Sequence, residues 1–436
     1  MYYKNESDFC KSILDDYKKL KLDEVEIVHK KIKNLSVKSR NVKLENIERA
    51  KSSIISITLY KGKKKSNLTL NNIDKIKTID ILERGSDMLN SLPDDIYSGL
   101  PEKNQYASKI PDLDIFDKSE EDESKLMDYA FKAETKMLEN QKVTNTEGSG
   151  VSSSKNEINI YSSKGFIKGY KKTINSSSAV AIAGRDTNMQ RDYDYHSVIH
   201  KKDLPKPEIV GKKAGERAVS RLNAKKIKSC TLDVVFDPRV AKSILSSFSS
   251  CITGASIARG TSFLLNKRNT LIFNENINII NKPHLYRGIG SVPYDYNGVK
   301  NNDIFIVKNG KLVNFFLSSR SARQLKEEPN GNSMPYNLTL EAGDIEVKDM
   351  ISSINKGFYI TEMLGMSFNP VNGDYSRGAA GFLIENGEIS YPVSEVTIAD
   401  NMNNMLKKLT PAKDLKMIEN INTPTILIEK MTLAGL

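Results

Sequence analysis

Two histidines four residues apart, in His196-Ser-Val-Ile-His200, have the spacing that most invites metal chemistry in this chain. On a helix such a pair lies on one face and presents two imidazoles to a single zinc ion, the arrangement of zincin-type proteases. That chemistry also needs a carboxylate to take the proton from the zinc-bound water, and Ser197 stands where the glutamate would be. Asp192 and Asp194 precede the pair and would need a geometry of their own, so no third ligand is obvious. The pair is read as the polar surroundings of a helix start, and the chain as unable to complete a zinc-hydrolase site by itself. His29 and His284 are isolated and read as structural.

Other chemistry-bearing residues are weaker. Ser243 to Ser250, with Cys251 and Gly254-Ala-Ser256-Ile-Ala258, approaches a G-x-S-x-G nucleophile turn, but alanine replaces the last glycine. A nucleophile needs a base, and residues 241–268 contain no His, Asp or Glu, so helix packing through small residues is the better reading. Gly288-Ile-Gly290-Ser291 lacks the third glycine of a dinucleotide loop, and no G-x-x-x-x-G-K motif occurs. A glycine-studded block from Gly357 to Gly387 says by itself only that strands meet tight turns where side chains would collide.

The elements that must position these residues can be read from pattern. At 436 residues the chain exceeds one typical core and divides into two domains, placed at 1–214 and 215–436. Helices are expected over residues 8–20, 73–91, from Ser119–Ser124 onward, and from Pro207 to Leu222. Alternating segments Val25–His29, Leu35–Val42 and Ile54–Tyr60 read as antiparallel strands. Lys61-Gly-Lys-Lys-Lys65 reads as a hairpin tip. Gly148 to Ser154 is expected to break the pattern, followed by three short strands at 157–162, 166–174 and 178–184. Five Asn-Gly pairs, at Asn297, Asn309, Asn330, Asn372 and Asn386, all fall in the second half and announce tight hairpins. The expected class is α+β: an N-terminal α/β domain with an antiparallel sheet and helices, then a C-terminal β-rich domain with a large mixed or antiparallel sheet.

Composition narrows the function classes. Hydrophobic residues make up 39% and charged residues 27%, a globular balance, and the longest apolar runs fall far short of the ~18 residues of a membrane span. The start MYYKNESDFCK lacks the apolar segment of a secretory signal, and the odd, scattered Cys10, Cys230 and Cys251 suit reduced thiols, so a cytoplasmic location is expected. The net charge of +11 is a small difference between 65 basic and 54 acidic residues, with lysine scattered along the chain, so nucleic-acid binding is not expected.

In the glycine-studded block the sequence resembles the TldD/PmbA family, and more closely its PmbA (TldE) branch. Gly365, Asn369, Gly373, Asp374, Ser376, Gly381, Glu385, Asn386, Gly387, Pro392 and Val393 match that pattern. Gly288-Ile-Gly290-Ser-Val-Pro-Tyr-Asp295 to Gly298 resembles another family segment, with Tyr296 and Asn297 replacing acids. Ser321-Ala322, Asn330-Gly331-Asn332, Met189 to Tyr193, Gly215-Glu-Arg217 and Thr423-Pro-Thr425 to Gly435 extend the likeness. TldD-type members are zinc peptidases with an HExxxH helix just before a G-T-S element and a late cysteine ligand. Here Gly260-Thr261-Ser262 is present, Ile244 to Arg259 has neither histidine nor acid, and no cysteine follows Cys251.

The resemblance therefore implies a subunit with no metal and no catalytic residue of its own, paired with a TldD-type zinc peptidase subunit and shaping a groove for unfolded peptides. It implies a framework role for Gly288, Gly290, Asp295, Asn369, Gly373, Asp374 and Ser376, each of which also reads as ordinary turn chemistry. A peptide-binding homodimer without protease activity, and a DNA-gyrase or nucleic-acid-associated modulator, are the alternatives. Whether the chain is itself an enzyme stays open.

Overall fold

The computed structural model describes residues 5–120, 122–365 and 367–436. The N-terminal part is built on one six-stranded antiparallel sheet. Its helices and strands follow as α1 (Glu6–Asp16), β1 (Glu24–Arg40), β2 (Lys43–Lys61), β3 (Lys64–Leu70), α2 (Thr78–Ser91), α3 (Glu123–Leu138), β4 (Val143–Ser162), β5 (Ile167–Ala183), β6 (Gln190–Val198) and α4 (Pro207–Ser220), in sheet order β3-β2-β1-β4-β5-β6. Four strands run 17 to 20 residues, about 60 Å at the rise of an extended chain. The hairpin tip at Lys61–Lys65 is where the sequence places it, with Lys61 opposite Lys64 and Gly62 at φ +59.

Two expectations fail for one reason. Val25–His29 and Leu35–Arg40 of the expected Leu35–Val42 belong to the single strand β1, and the expected break at Gly148–Ser154 lies inside β4, so the three short strands after it are in fact two long ones. Local composition reads Lys30 to Asn34, or Gly-Ser-Gly, as loop; pairing on both sides overrides it, since β1 is bonded to β2 and β4 along nearly its whole length. Gly148 does mark an irregularity, the register shift after Thr146, where a Cβ would lie 2.1 Å from the Ser39 carbonyl oxygen.

Side-chain alternation gives this sheet two different faces. Ile27, Ile55, Ile57, Leu59 and Tyr161 point to α1 and α2 and close one core with Phe9, Ile13, Leu82 and Leu89. Farther along the same face, Leu35, Val37 and Val151 meet Leu126 and Ala130 of α3, while Ala179, Ala181 and Ala183 meet Val210, Ala214 and Ala218 of α4. Gly215, the expected start of the second domain, thus lies inside a helix packed on the first sheet.

The second part contains β7 (Cys230–Phe236), α5 (Pro238–Cys251), α6 (Gly254–Ala258), β8 (Ile279–Asn281), β9 (Ile304–Lys308), β10 (Lys311–Leu312), α7 (Ser319–Leu325), β11 (Leu338–Leu340), α8 (Val347–Ser352), β12 (Lys356–Leu364), β13 (Asp374–Glu385), β14 (Glu388–Asn401), α9 (Met402–Lys407), β15 (Leu409–Pro411), β16 (Ile421–Asn422) and β17 (Ile426–Ala434). A mixed sheet runs β14-β13-β12-β7-β17-β15, and a further β14–β17 pairing closes five of these strands into a ring. A smaller sheet runs β10-β9-β8-β11-β16. Asn309-Gly310 and Asn386-Gly387 turn the β9–β10 and β13–β14 hairpins with both residues at positive φ, as two-residue hairpins require. The partner strand expected over Leu312–Leu317 is only Lys311–Leu312, because Val313 and Asn314 turn back to bond Ile306 and Phe305. The α+β expectation holds.

The two parts meet on the sheet's other face. Tyr294 of the second part sits edge-on to Phe166 and Tyr170 at ring separations of 5.2 and 5.5 Å, over Val28 and Ile160. Beside them two buried carboxyls approach without a cation. Glu26 of β1 accepts from Asn297 Nδ2 at 3.1 Å, and Asp295 accepts from the backbone N–H groups of Asn297 and Val299 through Oδ1, while its Oδ2 has no partner. Burial pushes Glu26 up to about 7 and Asp295 up to about 6; the Asn297 and backbone donors work against the rise, and the Asp295 charge adds to it for Glu26. A carboxyl whose folded pKa is raised contributes stability that is present below its unfolded pKa and lost as pH rises through the folded value. Glu26→Gln should therefore raise stability at pH 8 by on the order of 1–3 kcal/mol. The gain should shrink toward zero as pH falls to about 4, which chemical denaturation across that range would read; a gain unchanged with pH would refute a titrating Glu26.

Candidate functional site

His196 lies on strand β6 and not on a helix, and His200 lies two residues past the strand's end. On an extended chain residues four apart are separated by about 13 Å, too far to share a zinc ion whose bonds to nitrogen are about 2 Å. Each imidazole has its own partner: His196 Nε2 meets Asp194 Oδ2 at 3.0 Å, and His200 Nε2 meets Asp114 through its carbonyl oxygen at 3.0 Å and its carboxylate at 3.1 Å. The helical reading of the pair is thus corrected, the alternation of β6 having been hidden by charged residues. His29 bonds Ser53 and His284 bonds Asn301, both local contacts. Among the described residues, no group of three or more His, Cys, Asp or Glu is placed to hold a metal ion.

The helix to judge against the zinc peptidases is α5, which precedes Gly260-Thr-Ser. Pro238 opens it and Asp237 caps it by accepting from Arg239 N–H. Its inner stripe, Val240, Ala241, Ile244, Leu245 and Phe248, is buried against Phe273, Ile279, Leu340 and Leu406 in the main core. Of its serines, Ser243, Ser249 and Ser250 turn their hydroxyls back to carbonyls three residues earlier, so they serve the helix. Cys251 is buried, and desolvation lifts its thiol to about 11, away from a reactive thiolate.

The outer side of α5 meets β6, and there charges gather. Asp192 accepts from Arg239 Nη1 at 2.9 Å and lies 3.7 Å from Arg221 Nη1, and Arg221 in turn pairs with Glu362 of β12. Burial opposes ionisation of neighbouring Asp194, yet the His196 bond and the Arg217 guanidinium outweigh it and hold its carboxyl below the usual range. One turn along α5, Lys242 Nζ sits 2.7 Å from both Glu419 oxygens and over the Tyr195 ring, whose hydroxyl also bonds Glu419. Burial draws Lys242 down and pushes Glu419 up; their direct contact favours both charged forms and opposes these shifts. Tyr195 also borders an open trough of about 520 Å3 on the sheet face away from the helices, floored by Ser36, Gly150, Ser152, Ser176, Ser178 and Ser197.

The residues expected to frame a groove fall into two places. Gly288, Gly290 and Asp295 belong to the loop over the first sheet. At Gly290 a Cβ would lie 1.9 Å from Asn420 Oδ1 and 2.5 Å from the Asn337 nitrogen, and at Gly288 it would press on Ser291 and Asn337, so close packing fixes both. Asn369, Gly373, Asp374 and Ser376 form the β12–β13 turn. Gly373, at φ +87, donates to the Asn369 carbonyl, Asp374 accepts from Asn372 and Asn401, and Ser376 N–H bonds Ser367. This turn also touches the Gly260-Thr-Ser loop: Phe263 N–H donates to Pro370, and Phe263 packs edge-on to Phe368 at 6.4 Å. Sequence reading missed the charged wall. Asp192 and Arg217 fall inside short motifs that it noted without a role, whereas Lys242, Glu419 and Glu26 carry no local signal.

With this geometry in hand, comparison with known proteins is direct. Residues 116–222 match the PmbA/TldA metallopeptidase central domain, and residues 229–435 match its C-terminal domain. Metalloprotease PmbA of Escherichia coli O157:H7 is 32% identical over 418 residues, covering 95% of this chain and 93% of that protein. The chain therefore belongs to the PmbA/TldD family of metallopeptidase-like proteins. Two solved structures share the fold: a Bacteroides thetaiotaomicron protein described as a candidate modulator of DNA gyrase, at TM-score 0.93 and 24% identity with 100% of both chains covered, and TldE from Thermococcus kodakarensis, at TM-score 0.85 and 19% identity with 98% and 99% covered. No helix among the described residues is long and apolar enough to cross a membrane.

Removing Asp192 tests the charged wall. Asp192→Ala leaves two buried guanidiniums short of a partner and should cost about 3–5 kcal/mol of stability. Lys212→Ala, which breaks the exposed Lys212–Glu216 pair, should cost under about 1 kcal/mol. Urea denaturation of both variants checks the contrast.

Proposed function

We propose that this chain is the non-catalytic, PmbA/TldE-type subunit of a two-subunit metallopeptidase whose zinc is held by a TldD-type partner, and that its trough holds an unfolded peptide in extended form. The observation that carries this reading is α5. At the place where TldD-type members carry their ligands, this helix presents apolar core residues inward and back-bonded serines outward, and Gly260-Thr-Ser follows with no His or acid between. The residues present do not fit a zinc ion, so no step of peptide hydrolysis is assigned to them.

What the chain contributes is the holding of substrate. Strand β6 ends the first sheet and has an open edge. The carbonyls of Arg191 and Tyr193 accept from Arg221 and Arg217, which caps that edge at one end. Two residues further, at Tyr195 and Ser197, the same edge borders the trough. A peptide added there as a seventh strand would be held by main-chain hydrogen bonds, which select for extended chain and tolerate varied side chains. Small hydroxyl residues on the floor leave room for those side chains. A folded protein could not enter as a strand, so the preference would be for unfolded segments. The same trough would serve a peptide-holding homodimer, and the assay that follows separates the two.

The chain is purified alone and together with a TldD-type subunit, zinc is measured by elemental analysis, and cleavage of an unstructured peptide is followed. Cleavage is expected only in the mixture, with zinc confined to the partner and activity surviving His196→Ala in this chain. One zinc per chain in the isolated protein, with cleavage abolished by that substitution, would overturn the proposal. Peptide binding by the isolated chain with no gain on adding the partner would favour the homodimer.

A further inference from the structure

The open face of the first sheet extends past the trough. On β5, Ser178 and Ser176 of the trough floor are followed on the same face by Ile174 and Lys172, over about 20 Å of strand. Opposite these four on β4 stand Gly150, Ser152, Ser154 and Asn156. The next pair along is Tyr170 and Ile158, and there the second part closes over β5, with the Tyr294 ring 5.5 Å from that of Tyr170. Lys172 is therefore the last residue of the open floor on this strand, at the foot of the wall that carries Ser291 and Tyr294.

Its ammonium is only partly provided for. Lys172 is half-buried, and its Nζ donates to the Ser291 carbonyl at 3.0 Å. Among the described residues no carboxylate pairs with it, whereas Lys171, next in sequence and on the other face, lies 3.6 Å from Glu157. Burial draws Lys172 down to about 8, and no nearby acid opposes the shift. An ammonium has three donors, and one carbonyl neither satisfies the other two nor balances the charge. Lys30 of β1, opposite Ile158 on the same face, adds a second positive charge at this end.

We propose that Lys172 takes the C-terminal carboxylate of a peptide lying in the trough and so sets its direction, carboxyl end toward the second part, a role that rests on the trough's holding extended peptide as proposed above. A carboxylate supplies both things the carbonyl leaves unmet, further acceptors and a balancing charge. The chain end is favoured over an acidic side chain because the wall at Ser291 and Tyr294 stops an extended chain at this row. What meets Lys172 is then the point at which the peptide ends. An N-terminal ammonium would meet a like charge there, so the reverse direction is disfavoured. The small residues from Gly150 to Ser154 leave the path along the floor clear.

The test follows binding to the full chain of an unstructured peptide of about eight residues, free of Asp and Glu and carrying a fluorophore at its N-terminus; such a peptide spans about 27 Å when extended. With a free C-terminal carboxylate it should bind at least about tenfold more tightly than as the C-terminal amide. Lys172→Met should abolish that difference by weakening the free acid alone, with the amide bound as before. Equal weakening of both peptides would mark a structural role and overturn the proposal. So would equal binding of acid and amide by the unaltered chain, a comparison that needs no variant to fold and leaves the trough's peptide-holding role standing. An amide that regains the full affinity when one Glu is placed in its sequence would overturn the C-terminal assignment in favour of a side-chain carboxylate. Binding of neither peptide would remove the trough's proposed role and that of Lys172 with it.

Discussion

Asp192 carries a burden out of proportion to its size. It is 4% exposed and faces the guanidiniums of Arg221 and Arg239, one from the C-cap of the first part's closing helix and one from the first turn of α5. Taking three charges out of water is costly, and their attraction offsets that only when the geometry is tight and the remaining donors are used. Here they are used: Arg221 also bonds the Arg191 carbonyl and Glu362 of β12, and Arg239 also bonds Asp237, the cap of its own helix. The network therefore fixes β6, α4, α5 and β12 together, and with them the distance between the sheet edge and the helix that faces it.

The long sheet supplies the second constraint. Strands of this length must bury one side, and four helices are too few to cover about 60 Å of it, which leaves a stretch bearing Lys33, Lys51 and Lys155 between the helix layers on one face. The other face is shared between an aromatic contact at one end, where Tyr294 meets Phe166 and Tyr170, and serines at the other. Alternation then makes the chemistry of the two faces independent. Neighbouring residues such as Leu35 and Ser36 serve core and trough respectively, so either surface can change without disturbing the other.

Much of this was legible from the chain. Helices with an apolar stripe and a cap, such as α3 behind Asp122 and α4 behind Pro207, fall where periodicity puts them, and Asn386-Gly387 marks its hairpin without ambiguity. What failed was strand continuity. Lys30 to Asn34 and Gly148 to Ser154 are strand only because partners on both sides bond them, and pairing is a non-local fact that no window of sequence contains. The histidine pair failed similarly, since two readings of one spacing differ by whether the backbone coils or extends. The charged wall was illegible for a third reason: Tyr195, Lys242 and Glu419 are far apart in sequence and each alone is an ordinary surface residue.

The position of α5 shows what this fold asks of the helix that precedes Gly260-Thr-Ser. A helix in this setting does two separable jobs. Its inner stripe closes the main core, and Ile244, Leu245 and Phe248 do so with the volume and burial the strand ring requires. Its outer side carries Arg239 and Lys242 into contacts with Asp192 and Glu419, and Ser243 and Ser250 satisfy their own hydroxyls on the helix backbone. Ligands can be absent from such a face at almost no cost to stability, because nothing in the core leans on them. Losing Asp192, by contrast, would strand two guanidiniums at the junction between the parts. The packing thus constrains Asp192 and its two arginines far more tightly than the serine positions of α5.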